Sequence, residues 1–183
     1  MKQLYSSPAL AVLMLWALAP AHGAPKAKSD SPSTRAQAIL GSIDAQSASI
    51  ADTAYQLERL AKDLHPPEAH LDGIDALRAE VNTIGSELQS LEAERDSLAE
   101  WEVQALDQIL PLMHDVADNT DKAIQTYRSD RGRLWVTPYV GDTARVVQDA
   151  NEVSTLLRDY LKLAKTREKE ARIEQSLGES PQF

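Results

Sequence analysis

The sequence predicts an all-α protein built from long antiparallel helices, arranged as coiled-coil-like hairpins or as an up-down helical bundle. Two observations indicate this class. The chain has one Phe, only seven Gly and abundant residues that favour helix. Apolar residues also recur at steps of three and four over long stretches, which is the period of one helix face.

Residues 1–23 are expected to form a signal peptide. Lys2 precedes an apolar run from Ala9 to Ala19, which has the length of a signal-peptide core and is too short to span a bilayer. Small residues at Ala21 and Gly23 predict cleavage before Ala24, with cleavage after Ala21 as the near alternative. An uncleaved amphipathic anchor is the other interpretation. We therefore expect a secreted or periplasmic protein.

The composition excludes several classes of function. The chain has 19 basic and 28 acidic residues, a net charge of −9; loss of Lys2 with the leader leaves 18 basic and 28 acidic residues, a net charge of −10. Nucleic acid and anionic lipid are therefore poor candidate partners. The absence of cysteine excludes disulfides, thiol catalysis, thiolate metal sites and covalent haem attachment. No later segment is apolar enough to span a membrane.

The polar, Pro-rich residues 24–33 predict a disordered linker, followed by a helical domain over residues 34–177. The first helix starts near Ser31-Pro32-Ser33, because Pro suits a first helical turn. It is expected to end at His65-Pro66-Pro67, because a residue before Pro avoids the α region. Its apolar positions form a narrow stripe: Ala36, Ile39, Ile43, Ile50, Leu57, Leu60 and Leu64.

A second heptad register starts near residues 68–72 and continues to Ala123, with charged intrusions at Arg95 and Glu102. A possible capping box at residues 97–100 would break the chain there and give four helices in an up-down bundle. The alternative is one helix of roughly 60 residues, about 90 Å long. We favour the unbroken helix, because residues 86–110 contain no Gly or Asn for a tight hairpin. Pro111 is expected to kink this helix without ending it. An unbroken helix leaves its apolar stripe half covered, which predicts a homodimer.

The last helix is predicted from Thr137 or Asp142 to about Leu177, and its apolar face is wide enough for a bundle of three or more helices. The charged residues after Lys165 indicate a solvated end. Residues 178–183 are expected to form a flexible tail, with Gly178 as the helix C-cap.

The best candidate binding site is the turn from Arg131 to Asp142, where basic and aromatic residues gather in an otherwise acidic chain. Guanidinium groups bind carboxylates or phosphates, and aromatic rings stack on ligands. The candidate site residues are Arg128, Arg131, Arg133, Trp135 and Tyr139.

A purely structural interpretation of this turn is the one that we favour. The basic residues complement the carbonyl end of one helix, and Gly132 serves as its C-cap. Thr137 followed by Pro138, or else Asp142, caps the next helix. The two rings then cover the open end of the core.

No other pattern predicts chemistry. The polar cluster of His65, Glu68, His70 and Asp72 has donor atoms for a metal, but its spacing matches no rigid helical pair. His114 and Asp118 predict a surface pair. No Glu-x-x-His pair for a di-iron site occurs, and no nucleophile motif or Gly-rich phosphate loop either. We therefore expect no metal, no cofactor and no enzymatic activity.

The expected function is protein–protein interaction or scaffolding at the cell envelope by an exported helical protein. The alternative is a helical bundle that binds a small anionic ligand at the turn from Arg131 to Asp142.

Overall fold

The computed structural model describes residues 34–136 and 138–178, and over these it contains helices and no β-strand. The four long helices are α1 (Thr34–Lys62), α2 (Leu71–Ala93), α3 (Glu100–Ser129) and α4 (Tyr139–Gly178). Short 3₁₀ segments connect them at Pro67–His70, Arg95–Ser97 and Arg131–Val136. The all-α fold class is confirmed. The predicted signal peptide, the linker and residues 179–183 lie outside the described residues, whereas Gly178 belongs to α4.

The helices form an up-down-up-down bundle in which α4 packs against both α1 and α3, and α2 packs against α1 and α3. The hydrogen bonds between α1 and α2 show that the two helices are antiparallel. Ser42 Oγ donates to Glu87 Oε1 over 2.9 Å, and Ser49 Oγ donates to Glu80 Oε1 over 2.6 Å. The partner number on α2 falls as the number on α1 rises, so the two chains run in opposite directions.

The core runs through the centre of the bundle and is made mainly of Ile, Leu, Val and Ala from all four helices. α4 contributes a wide face, as predicted, because it has two neighbours to cover. Its buried apolar residues are Tyr139, Val146, Ala150, Val153, Leu157 and Ala164. Among the described residues, no helix combines the length and the apolar character that a membrane span needs.

The preference for an unbroken second helix is wrong, because the chain turns between α2 and α3. α2 ends at Ala93 and α3 begins at Glu100. The turn contains no residue with positive φ: its C-cap, Glu94, has φ −101° and ψ 9°, and a single 3₁₀ turn follows. The lack of Gly or Asn therefore does not exclude a hairpin here, since no residue has to adopt a left-handed conformation.

The start of α3 is capped by its own third residue. The backbone N–H of Ala99 donates to Glu102 Oε2 over 2.8 Å, which satisfies one of the donors that a helix leaves open at its N-terminus. The predicted box at residues 97–100 is thus displaced by two residues, and Ser97 Oγ donates instead to Glu94 O over 2.7 Å. Pro111 lies inside α3 without ending it, as predicted.

The turn removes the premise of the predicted homodimer. That prediction depended on a long helix with a half-covered stripe. In the folded chain, α2 and α3 lie side by side, and most of their apolar positions are buried by the other helices of the same molecule.

α1 ends at Lys62 and closes in a Schellman motif at Leu64, directly before the predicted stop at His65-Pro66-Pro67. Leu64 has φ 59°, its N–H donates to Ala61 O over 3.1 Å, and the N–H of His65 donates to Leu60 O over 2.9 Å. The predicted apolar stripe includes Leu64, but its side chain is 63% exposed. The left-handed backbone turns it away from the core.

Candidate functional site

The turn between α3 and α4 holds the candidate residues predicted from the sequence. The backbone N–H of Asp130, the C-cap of α3, donates to Thr126 O over 2.9 Å. The 3₁₀ segment Arg131–Val136 follows, and the buried side chain of Leu134 fixes it to the bundle. The rest of that segment is exposed.

The helix caps in this turn differ from the predicted ones. No glycine in the described residues has a positive φ, so Gly132 does not form a left-handed C-cap. Asp142 does not cap α4 either, because it lies inside the first turn and its N–H donates to Pro138 O over 2.8 Å. Thr137, the other predicted cap, lies outside the described residues.

Tyr139, the first residue of α4, is fully buried and contacts His70 at the start of α2. Its Oη lies 3.0 Å from His70 Nδ1, and the two rings meet edge to face at a centroid distance of 5.4 Å. Both side chains are 0% exposed. The pair joins residues 69 positions apart in the chain and ties α2 to α4.

Burial favours the uncharged form of both partners of this pair. It lowers the pKa of the His70 imidazole, and the nearby His65 lowers it further. Burial also raises the pKa of the Tyr139 phenol far above its ordinary value. Among the described residues, His70 Nε2 has no hydrogen-bond partner, so a proton added to this ring would remain in a buried site without a counter-charge.

Tyr127, near the end of α3, completes the cluster. Its hydroxyl donates to Pro67 O over 3.2 Å, and its ring centroid lies 6.4 Å from that of His70. The sequence pattern indicated neither the pairing of His70 with Tyr139 nor the place of Tyr127 beside His70. One signal was available in the sequence: each of these residues lies at a helix end, where an aromatic side chain can cover the end of the core.

The basic residues of the turn lie on its outer side, and two of them already have partners. The Arg131 guanidinium stacks over the Tyr127 ring at 4.9 Å. Arg133 donates from Nη2 to Asp130 Oδ2 over 3.1 Å. Arg128 is exposed, and so is Trp135, whose side chain is 47% accessible.

The structure therefore separates the five candidate residues. Four of them lie on the surface at this end of the bundle: Arg128 in the last turn of α3, and Arg131, Arg133 and Trp135 in the 3₁₀ segment that follows. Tyr139 lies in the core and presents no ring face to a ligand in solvent.

The predicted polar cluster near Pro66 is divided in the same way. His70 is taken into the core, while His65, Glu68 and Asp72 stay near the surface. Within residues 34–136 and 138–178, no group of three or more His, Asp or Glu side chains is placed to hold a metal ion. His114 Nδ1 lies 3.7 Å from Asp118 Oδ2, and both side chains are exposed.

The opposite end of α4 extends beyond the bundle. Ala164 is its last buried residue, and every residue from Lys165 to Leu177 is exposed. Gln37 Nε2, near the start of α1, donates to Glu168 Oε1 over 2.9 Å, so α1 begins beside that residue. Among the residues that the structure describes, none buries the helix beyond this point. This C-terminal extension, Lys165–Leu177, presents Ile173 at 48% and Leu177 at 69% exposure.

A groove of about 520 Å³ lies between α1 and α4 where the extension leaves the bundle. We call it the cationic groove. It is lined by Asp44 of α1 and by Arg158, Lys162, Lys165, Thr166 and Lys169 of α4. The sequence did not indicate this groove in advance, although the α4 cations are spaced four, three and four residues apart and therefore lie on one helix face.

Comparison with protein-family models, with curated proteins and with solved structures found no significant match to this chain. The assignment of function therefore depends on the geometry of the chain itself.

Proposed function

We propose that this protein is a non-catalytic interaction or scaffolding module that binds another protein through the C-terminal extension of α4. The observation that supports this most directly is the exposure of every residue from Lys165 to Leu177, after the last core contact at Ala164. The extension is roughly 20 Å long at 1.5 Å per residue.

An isolated helix of this length is marginal in water, because nucleation is costly and few residues share its cost. The extension gains order from its continuity with the bundled part of α4, which is a rigid support for a short recognition helix. Amphipathic helices that bind in the groove of a partner use apolar anchors one turn apart. Ile173 and Leu177 have this spacing, and both are exposed.

Photo-crosslinking at single positions tests the proposal. A photoreactive amino acid replaces Ile173 or Leu177 in the protein as it is produced in its own cells, and irradiation is followed by mass analysis. We expect a covalent adduct with one protein at both positions. Thr83 and Thr155 are matched controls, because both are exposed on the bundled helices. Adducts at the controls as strong as those at Ile173 and Leu177, or none at any position, would contradict the proposal.

A second candidate is the binding of a small anionic ligand at the turn from Arg131 to Asp142. The exposed side chains of Trp135 and Arg128 support it, whereas the burial of Tyr139 removes one predicted contact. Under this hypothesis Trp135→Ala abolishes binding of an added phosphate or carboxylate compound and changes the melting temperature little. If the variant loses stability instead, Trp135 serves the fold.

We also propose that the protein acts outside the cytoplasm, in the periplasm or beyond the cell. The leader pattern of residues 1–23 supports this. Intact-mass measurement on protein from its own cells should show a chain beginning at Ala24. A chain that keeps Met1 and its apolar run would contradict export by this route.

A further inference from the structure

We infer that the cationic groove is a binding site for a compact polyanion, a molecule that carries two or more phosphate or carboxylate groups. This inference does not depend on the proposed function, because it concerns the groove between α1 and α4 and not the apolar anchors of the extension.

The positive charges of the groove come from one face of α4. Arg158, Lys162, Lys165 and Lys169 follow one another at steps of four, three and four residues, so their side chains lie in one row. Like charges at these spacings repel each other and destabilise a helix by a few tenths of a kcal/mol per pair. The row is thus unfavourable for the helix by itself.

The charge of the whole chain makes this row unexpected. Acidic residues outnumber basic ones by 28 to 19. Yet within residues 34–136 and 138–178, no carboxylate oxygen lies within ion-pair distance of the ammonium groups of Lys162, Lys165 or Lys169.

The helix dipole does not explain the row either. Cations stabilise the carbonyl end of a helix only within about the last turn. α4 ends at Gly178, and Lys169 lies roughly two and a half turns before it. Arg158 and Lys162 are further away still.

One wall of the groove is fixed by a hydrogen-bonded carboxylate. Asp44 Oδ1 accepts from Ser154 Oγ over 2.5 Å and from Arg158 Nε over 3.2 Å. Arg158 is thus paired with Asp44, although its side chain is mostly exposed. The three lysines remain for a ligand, with Leu161 and Thr166 supplying an apolar and a hydroxyl-bearing surface between them.

The size and the charge of the groove define the class of ligand. A volume of about 520 Å³ lies in the range of small-molecule sites, which is roughly 300 to 1,000 Å³. Three ammonium groups favour a ligand with several anionic groups over a single anion. The acidic surface elsewhere repels an extended anionic body such as a membrane. A compact ligand contacts only the groove and avoids this repulsion.

Isothermal titration calorimetry on the intact mature protein tests the inference, with tripolyphosphate as the phosphate probe and citrate as the carboxylate probe. The groove variant is Lys162→Gln, Lys165→Gln and Lys169→Gln combined. The control variant is Lys62→Gln, Arg78→Gln and Lys122→Gln combined, which removes the same charge from exposed sites on α1, α2 and α3. Gln and Lys have similar helix propensity, so both variants should fold, and circular dichroism checks this.

We expect the wild type to bind at least one probe and the groove variant to bind it about tenfold or more weakly, with about twofold or less loss in the control variant. Binding of tripolyphosphate alone, or of citrate alone, supports the inference and identifies the anionic group. Absence of binding of both probes to the wild type, or equal weakening in both variants, overturns it. Neither outcome changes the crosslinking result at Ile173 and Leu177, so the two proposals fail separately.

Discussion

At the residue scale, the contact between His70 and Tyr139 makes stability depend on pH. The folded protein lowers the pKa of His70, mainly through burial, so the unfolded chain binds a proton more readily than the folded one. The stabilisation is complete above the unfolded pKa of about 6.5 and is lost progressively as the pH falls below it.

We therefore expect the free energy of unfolding in urea to decrease as the pH falls below about 6.5, and His70→Gln to remove most of this slope. His114→Gln is the control, because His114 is exposed, and it should keep the slope. Asp142 and Asp149 act in the opposite sense. Burial raises the pKa of both carboxyl groups, so their protonation favours the folded state at lower pH. A slope that survives in His70→Gln would contradict this assignment.

Leu64 is the described non-glycine residue with a left-handed backbone, and its side chain is mostly exposed. Leu64→Gly removes a steric cost of about 1 to 2 kcal/mol in the folded state and adds a smaller entropic cost in the unfolded chain. We expect a net gain in stability of about 0.5 to 1 kcal/mol in urea unfolding. Leu71→Gly is a matched control, because Leu71 is exposed at the start of a right-handed helix, and it should be destabilising. Equal effects of the two changes would contradict the account.

The candidate site could be predicted only in part from single residues. The sequence marks the arginines and Trp135 because they cluster on a turn, and the structure places them on the surface of that turn. The sequence does not show that α4 begins at Tyr139 or that this residue packs into the core. That outcome depends on His70, a residue distant in the chain, and a local pattern carries no information about such a contact.

At the scale of elements, the turn between α2 and α3 depends on Glu102, whose carboxylate accepts from the backbone N–H of Ala99. Glu102→Ala leaves this buried donor without its partner. We expect a loss of about 1 to 3 kcal/mol in the free energy of unfolding. Glu100→Ala is the matched control, because Glu100 lies exposed in the same first turn, and it should cost a few tenths of a kcal/mol. If both variants lose the same free energy of unfolding, the hydrogen bond of Glu102 does not stabilise the turn.

The sequence predicts the helices of this region correctly but not the turn between α2 and α3. Helix type and heptad positions follow from periodicity, and the buried faces of α2, α3 and α4 agree with it. Arg95 and Glu102 break the apolar register, and the structure places Arg95 in the turn and Glu102 in the first turn of α3. A criterion based on Gly or Asn missed this turn, because its backbone stays in right-handed and extended conformations throughout.

The end of α4 could be predicted from the sequence only in part. Charged residues after the last apolar position indicate a solvated helix end, and the structure agrees that residues 165–177 are exposed. The sequence alone does not show that α1 lies beside Lys162 and Lys165 to form a groove. Only the packing of α1 against α4 reveals that surface.

At the scale of the whole molecule, the bundle predicts a short distance between Asp72 of α2 and Lys122 of α3. The nearby contact of the Tyr127 hydroxyl with Pro67 O shows that these two helix ends lie together. Adjacent helix axes are 8 to 10 Å apart, so spin labels at both exposed positions should lie within about 30 Å by double electron–electron resonance. A single unbroken helix would separate them by about 75 Å, and that distance would contradict the bundle.

The C-terminal extension of α4 leaves the bundle, and we propose that a partner protein binds it. Hydrogen–deuterium exchange of the purified, dilute protein tests it most directly, because amide protection follows local stability. We expect strong protection from Val146 to Ala164 and rapid exchange from about Glu168 to Leu177. Equal protection along the whole of α4 would mean that the extension is already covered within the folded protein, and that result would contradict the claim.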